Sequence, residues 1–209
     1  MSIDYFIATL SAFLLSVLFT QLIKKLAWHW RIIDWPNSQR VDKSERHIHK
    51  SATPLLGGLA IFLSVVITTL YFREYLVLGN LTWQHWLSVA IGAMLIVIGG
   101  ILDDKYNLSP GYQIIFPLLA CLAVIAGGVG IEKISNPFGS LLFLNTLQLP
   151  IFTWAGHTYY FTVLSDIFTI LWLMGMMYTT KLLDGLDGLV TGMAGIGSVS
   201  YTHLTLPTN

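Results

Sequence analysis

Four aspartates stand where an apolar chain tolerates them least. Asp103 and Asp104 close the apolar run from Leu87 to Leu102, and Asp184 and Asp187 follow the run from Ile167 to Met177. A carboxylate at the edge of hydrocarbon costs several kcal/mol unless something positive holds it, so it is a functional candidate by default. Adjacent carboxylates at a helix end suit a hard cation. Mg²⁺ prefers oxygen ligands, keeps several waters, and takes one or two carboxylates together with substrate phosphate oxygens. On a helix Asp103 and Asp104 are about 100° apart and need not share a task. Asp184 and Asp187 stand three apart and share a face if the helix continues through them. Gly185 and Gly188, interleaved with the second pair, would let a substrate or a helix approach the backbone closely.

The elements that must position these residues are apolar helices. Of the 209 residues 55% are hydrophobic and 11% charged, and the mean hydropathy is +0.69. A soluble domain is about 25% charged, so this composition predicts an all-α, polytopic transmembrane bundle. Zero formal net charge argues against nucleic acid as a partner. Runs of the length a span requires cover residues 5–23, 55–72, 87–102, 112–131 and 165–180, and a sixth begins near 189. Cys121, the single cysteine, reads as a small core residue. No cleavable signal peptide is evident, because no basic segment precedes the long first run.

The basic residues set an orientation. Lys24, Lys25, Arg31, Arg40, Lys43, Arg46 and Lys50 lie between the first two spans, Lys105 between spans three and four, and Lys181 after span five. Only Arg73 and Lys133 fall in the alternate loops. Nine basic residues on one side against two on the other predict a cytoplasmic rich side and an outside N-terminus. Both aspartate pairs then share the cytoplasmic face. Beyond the fourth span, Ser135-Asn-Pro-Phe-Gly139 is a turn signal. The β-branched and aromatic stretches 141–152 and 158–164 predict a small hairpin or interfacial segment on the outer face.

On the basic side, His47, His49 and Lys50 precede Gly57 and Gly58, which would permit close helix packing. Cations in this loop enforce topology and bind anionic lipid heads; the sharper expectation is that Lys50 and a histidine contact phosphate. Against this stands the plainer possibility that the aspartates are solvated helix caps paired with Lys105 and Lys181. Two carboxylate clusters on one face weigh against it. A membrane transporter using intramembrane carboxylates would place them near mid-span and show repeated halves, and neither is visible.

Three segments, in order, resemble one family. Gly99-Gly-Ile-Leu-Asp-Asp-Lys-Tyr-Asn-Leu-Ser-Pro110 resembles the double-aspartate motif of the polyprenyl-phosphate N-acetylhexosamine-1-phosphate transferases, glycosyltransferase family 4. Asp184-Gly-Leu-Asp-Gly-Leu189 resembles their second motif, and His47-Ile-His-Lys-Ser-Ala-Thr-Pro-Leu-Leu-Gly-Gly58 their first cytoplasmic loop. The resemblance implies a phosphotransferase in which undecaprenyl phosphate attacks the sugar-linked phosphorus of a UDP-N-acetylhexosamine, releasing UMP. It implies a multi-pass protein of the bacterial plasma membrane, with Mg²⁺ required and Mn²⁺ as the alternative. It gives Asp103, Asp104, Asp184 and Asp187 catalytic roles, the metal falling to Asp104, Asp184 and Asp187; substrate contacts are expected from Lys50, His47 and His49 of the basic loop and from Lys181, whose ammonium suits a phosphate. A phosphate monoester has a second pKa near 6, so the acceptor needs little deprotonation and charge neutralisation dominates. N-Acetylglucosamine-1-phosphate is the leading donor group, and the muramoyl-pentapeptide transferases of peptidoglycan synthesis are the alternative. A homodimer is compatible with this reading.

The sequence departs from the family in two ways. Tyr178 and Lys181 stand where members commonly have asparagines. Five to six of about ten spans are present, so residues 1–197 are read as a partial transferase domain and residues 198–209, interrupted by His203 and Pro207, as a truncated or foreign tail.

Overall fold

The computed structural model describes residues 2–30, 32–34, 53–76, 82–136, 139–146, 148–154, 157–183 and 188–205. The chain divides into two compact units, Met1–Gly130 and Ile131–Asn209. The described elements are overwhelmingly helical, as the composition predicts. Three helices are long and apolar enough to cross a membrane, over Tyr5–Trp30, Trp83–Tyr106 and Val163–Leu183, and three shorter apolar helices accompany them.

In the first unit, α1 (Ser2–Trp30), α2 (Gly57–Tyr71), a short α3 (Arg73–Leu76), α4 (Trp83–Tyr106), α5 (Pro110–Gln113) and α6 (Ile115–Ala126) follow in order. Between α1 and α2, strands β1 (Ile33–Asp34) and β2 (Thr53–Pro54) pair antiparallel. Helix α1 runs past the expected end at residue 23. Lys24 and Lys25 are exposed and cost it nothing, while Ala27 beyond them is wholly buried. Ile23, Ala27, Ile32, Leu56 and Ala60 form a cluster bordered by Phe19, Leu63 and Ile101. Ala27 and Ala60 lack the bulk to hold helices apart, so backbones approach closely here.

Among the described residues the expected close packing at Gly57 and Gly58 is not found. Both are exposed, and a Cβ on either would meet nothing within 4 Å. The tight approach is made instead by α4 on α6. A Cβ at Gly92 would meet Ala120 O and Val124 Cγ2 at 3.1 Å, one at Gly99 would lie 2.5 Å from Phe116 Cβ, and one at Gly127 would strike the Ser88 side chain. Ala120 and Cys121 are buried on α6, with Cys121 a free thiol.

Helix α6 is separated from α5 at Ile114. Pro117 carries no N–H to donate to the Gln113 carbonyl, so the helical ladder is broken there. The chain leaves α6 at Ala126, short of the expected residue 131. Gly127 donates back to Ala123 O, and Gly128 turns the chain at φ 84°.

The second unit opens with a two-residue ladder, β3 (Lys133–Ile134) against β4 (Leu142–Phe143), around the predicted turn. The expected hairpin follows as β5 (Gln148–Trp154) antiparallel to β6 (His157–Thr162), with an irregularity between Pro150 and Phe152. Val163 and Leu164, expected to extend the strand, instead begin α7 (Val163–Leu183). Helix α8 (Leu189–Thr205) closes the unit.

The start of α7 carries a polar clasp. Ser165, Asp166 and Thr169 are all buried. Ile131 N–H donates to Thr169 Oγ1 at 2.9 Å, Ser165 Oγ donates to Ile131 O at 2.9 Å, and Thr162 N–H donates to Asp166 Oδ2 at 2.8 Å. Thr169 Oγ1 also returns a hydrogen bond to Ser165 O at 2.7 Å. Both ends of the 131–162 excursion are therefore tied to the first two turns of α7.

Candidate active site

The aspartate pair of α4 sits at a defined depth. The helix opens with Thr82, whose backbone N–H donates to His85 Nδ1 at 3.0 Å, and Trp83 stacks on Trp86 at 4.8 Å. From Trp83 to Asp103 the axis rises about 30 Å, the thickness of a hydrocarbon core. An aromatic pair of the kind that favours one interface thus marks one end of α4, and the carboxylates mark the other.

Helix phase separates the two aspartates. Ser88, Gly92 and Gly99 form the stripe of α4 that meets α6, and Asp103, one turn past Gly99, continues it. Asp103 accordingly faces the α4–α5 connection. Its Oδ1 accepts from Leu108 N–H at 3.1 Å and from Gln113 Nε2 at 2.9 Å. Gln113 Nε2 also donates to Leu108 O at 2.9 Å. The Asp103 carbonyl accepts from Asn107 N–H at 2.7 Å, and Asn107 takes the left-handed conformation at φ 51°. Asparagine tolerates that region better than most residues, which is why Tyr-Asn-Leu-Ser-Pro ends one helix and Ser109-Pro110 starts the next. Asp104 lies about 100° further round the helix and is half-buried. Lys105 holds its ammonium 5.3 Å from the Tyr106 ring centroid.

Of the other candidates, Lys181 is exposed in the last turn of α7, in the second unit. His47, His49, Lys50, Asp184 and Asp187 lie outside the described residues. Tyr178, standing where the family commonly carries an asparagine, buries its hydroxyl with no hydrogen-bond partner among the described residues. Gly188 takes φ 79° and accepts from Gly192 N–H at 2.8 Å as α8 begins. Gln113 escaped the sequence reading, since nothing local marks a glutamine ten residues downstream as the partner of Asp103.

The donor set suits a hard cation only in part. Among the described residues no three His, Cys, Asp or Glu side chains come together as a metal site. One end of α4 supplies two carboxylates, and a Mg²⁺ site ordinarily completes its shell with water and phosphate oxygens rather than an all-protein cage.

A helical membrane-type chain with two carboxylates at a helix end, the first of them held by its own turn, is the class that fold and site define. Residues 86–209 match the family model for glycosyl transferase family 4, and the chain belongs to that family. It is 29% identical over 201 residues to the probable undecaprenyl-phosphate N-acetylglucosaminyl 1-phosphate transferase of Bacillus subtilis (strain 168), covering 96% of this chain and 48% of that protein. It is 31% identical over 169 residues to the phospho-N-acetylmuramoyl-pentapeptide-transferase of Staphylococcus aureus (strain MSSA476), covering 80% of this chain and 50% of that one. The chain spans about half the length of these curated relatives. No solved structure matches it.

Proposed function

We propose that the protein transfers an N-acetylhexosamine-1-phosphate, with N-acetylglucosamine-1-phosphate as the leading group, from a UDP-sugar to undecaprenyl phosphate. The reaction takes place at the cytoplasmic face of the bacterial plasma membrane and feeds cell-envelope glycan synthesis. An oxygen of the lipid phosphate forms a bond to the sugar-linked phosphorus, the diphosphate bond of the donor breaks, and UMP leaves. The observation that carries this reading is the end of α4, where a helix of bilayer length terminates in two carboxylates and the first is fixed by its own turn.

Asp103 is the positioning member of the pair, holding the α4–α5 turn. Asp104, with Asp184 and Asp187, would hold Mg²⁺, or Mn²⁺ in its place. When bound, the cation supplies neutralisation of the charge gathering on the phosphoryl oxygens. Donor and acceptor are both anionic and repel each other, so the cations of the chain must bring them together. Lys50, His47, His49 and Lys181 are assigned that work.

The N-acetylglucosamine reading is favoured because the Bacillus subtilis relative aligns with nearly the whole chain, whereas the Staphylococcus aureus transferase aligns with less of it. The latter supports the muramoyl-pentapeptide donor as the second reading. The test is UMP release by the full-length protein in membranes with undecaprenyl phosphate, Mg²⁺ and a panel of UDP-sugars. Release with UDP-N-acetylglucosamine is expected; release only with the muramoyl-pentapeptide donor selects the second reading, and no release with any donor sinks both. Asp104→Asn should lower turnover at least about 100-fold, the scale of losing one preorganised charge-stabilising group. An unchanged rate would remove its metal role.

A further inference from the structure

The excursion between α6 and α7 has an unusual composition for a loop. From Ile134 to Thr162 there is no Asp, Glu, Lys or Arg. At the usual charged fraction, a water-exposed stretch of this length would carry about seven. The hydrocarbon core is excluded for a different reason. Among the described residues the hairpin is a two-stranded sheet, so each strand there leaves one edge of its backbone unpaired, at several kcal/mol per group in lipid. Neither bulk water nor the core suits this segment.

The strand register sorts its residues. Leu149 pairs with Phe161, Phe152 with Tyr159, and Trp154 with His157. Directly opposed residues share a face and successive residues alternate, so these six occupy one face. Gln148 and Thr162, Pro150 and Tyr160, and Thr153 and Thr158 occupy the other. One face is aromatic and the second is hydroxyl-rich. The preceding ladder repeats the theme: Leu141, Leu142 and Phe143 are 51%, 54% and 51% exposed. Lys133, just before the charge-free stretch, lies with its ammonium 5.5 Å from the Phe143 ring centroid. A long cation over an exposed apolar patch is the arrangement of a side chain that snorkels.

The attachment fixes the depth. Thr162 runs without a break into α7, a helix long and apolar enough to cross the membrane. The Ser165–Asp166–Thr169 clasp ties Ile131, the other end of the excursion, to the same two turns. Both roots of the segment are therefore held at the level where α7 enters the bilayer.

We infer that the described residues between Ile134 and Thr162 form a lipid-binding surface that lies in the headgroup layer, with the aromatic hairpin face and the Leu141–Phe143 patch seated against lipid. Aromatic side chains are favoured at that depth, and a charge-free amphipathic segment partitions there through its buried apolar area. The partner is the bilayer surface itself.

Single-cysteine variants of the full-length protein in a Cys121→Ser background test this. Tyr159→Cys and Phe161→Cys probe the aromatic face, Thr158→Cys and Tyr160→Cys the other, and Leu142→Cys the neighbouring patch. Each is labelled with bimane and reconstituted in phosphatidylcholine–phosphatidylglycerol vesicles. A nitroxide-bearing lipid should quench 142, 159 and 161 several-fold more than 158 and 160, and aqueous iodide should show the reverse order. Iodide quenching all five alike would place the segment in water and overturn the inference. So would protection of 142, 159 and 161 from both quenchers, which would mean that protein covers the face. Leu142→Cys keeps the test decisive if replacing an aromatic loosens the hairpin.

Discussion

At the scale of single residues, the two neighbouring aspartates are different objects. Asp103 is tied to Leu108 N–H and Gln113 Nε2, and its own carbonyl takes the Asn107 amide. Removing Gln113's amide leaves a half-buried carboxylate oxygen and the Leu108 carbonyl each short of a donor. Gln113→Leu should therefore destabilise the protein by about 1–3 kcal/mol, seen as a lower melting temperature in detergent. Gln113→Glu should be worse, because it sets a second carboxylate against the first, and like charges that close cannot both be comfortable. Equal melting of wild type and Gln113→Leu would show that the turn is held by other contacts. The position of the aspartates was legible from the chain, because an apolar run that ends in two carboxylates is an energetic anomaly on any reading. The hydrogen-bond partners of Asp103 were not, because they depend on where Gln113 arrives after α5, and no local pattern encodes that.

Among the elements, α4 and α6 are joined by missing side chains. Gly99 and Gly100 are adjacent in sequence but differ in surroundings. A Cβ at Gly99 would overlap Phe116 Cβ, an atom too close to its own backbone to swing away, whereas a Cβ at Gly100 meets nothing within 4 Å. Gly99→Ala should cost about 1–3 kcal/mol by overpacking. Gly100→Ala should be neutral or stabilise by up to about 1 kcal/mol through helix propensity. Thermal melts of the two variants, measured side by side, make the comparison, and similar losses in both would contradict the packing described. Hydropathy found the helices but did not mark this seam, and a Cβ on either glycine of the pair expected to permit close packing, Gly57 and Gly58, would meet nothing within 4 Å among the described residues. Two glycines in a row look like a packing motif, yet only the partner helix decides which glycine is needed. The hairpin was legible for the opposite reason: its stretches are rich in aromatic and β-branched residues, a local property. Its ends moved because β6 hands directly to α7 at Val163, where a buried Asp166 accepts the Thr162 amide.

For the molecule as a whole, the charge distribution makes a claim about sidedness. Nine of eleven basic residues fall in loops that alternate to one side, and that side is read as cytoplasmic. In a Cys121→Ser background, Lys105→Cys and Lys181→Cys should react with a membrane-impermeant maleimide only when the inner face is open to it. Thr82→Cys and Thr146→Cys should react in intact cells. Labelling of positions 105 and 181 from opposite faces would separate the two aspartate motifs and remove the basis for a shared site. The sequence offers such an expectation because topology is a matter of counts and lengths, and the labelling pattern is its test. The sequence could not carry the arrangement of His47, His49, Lys50, Asp184 and Asp187, which lie outside the described residues.

The stripe Ser88–Gly92–Gly99–Asp103 has one further consequence. It works as a reading frame: the glycines fix the rotation of α4 against α6, and that rotation decides which aspartate meets Gln113. Deleting one residue between Gly99 and Asp103 would turn the end of the helix by about 100° and carry Asp104 into the place Asp103 now holds. The composition of the motif would survive and its meaning would be exchanged. Insertions and deletions upstream of the pair are therefore forbidden by phase, long before they are forbidden by chemistry.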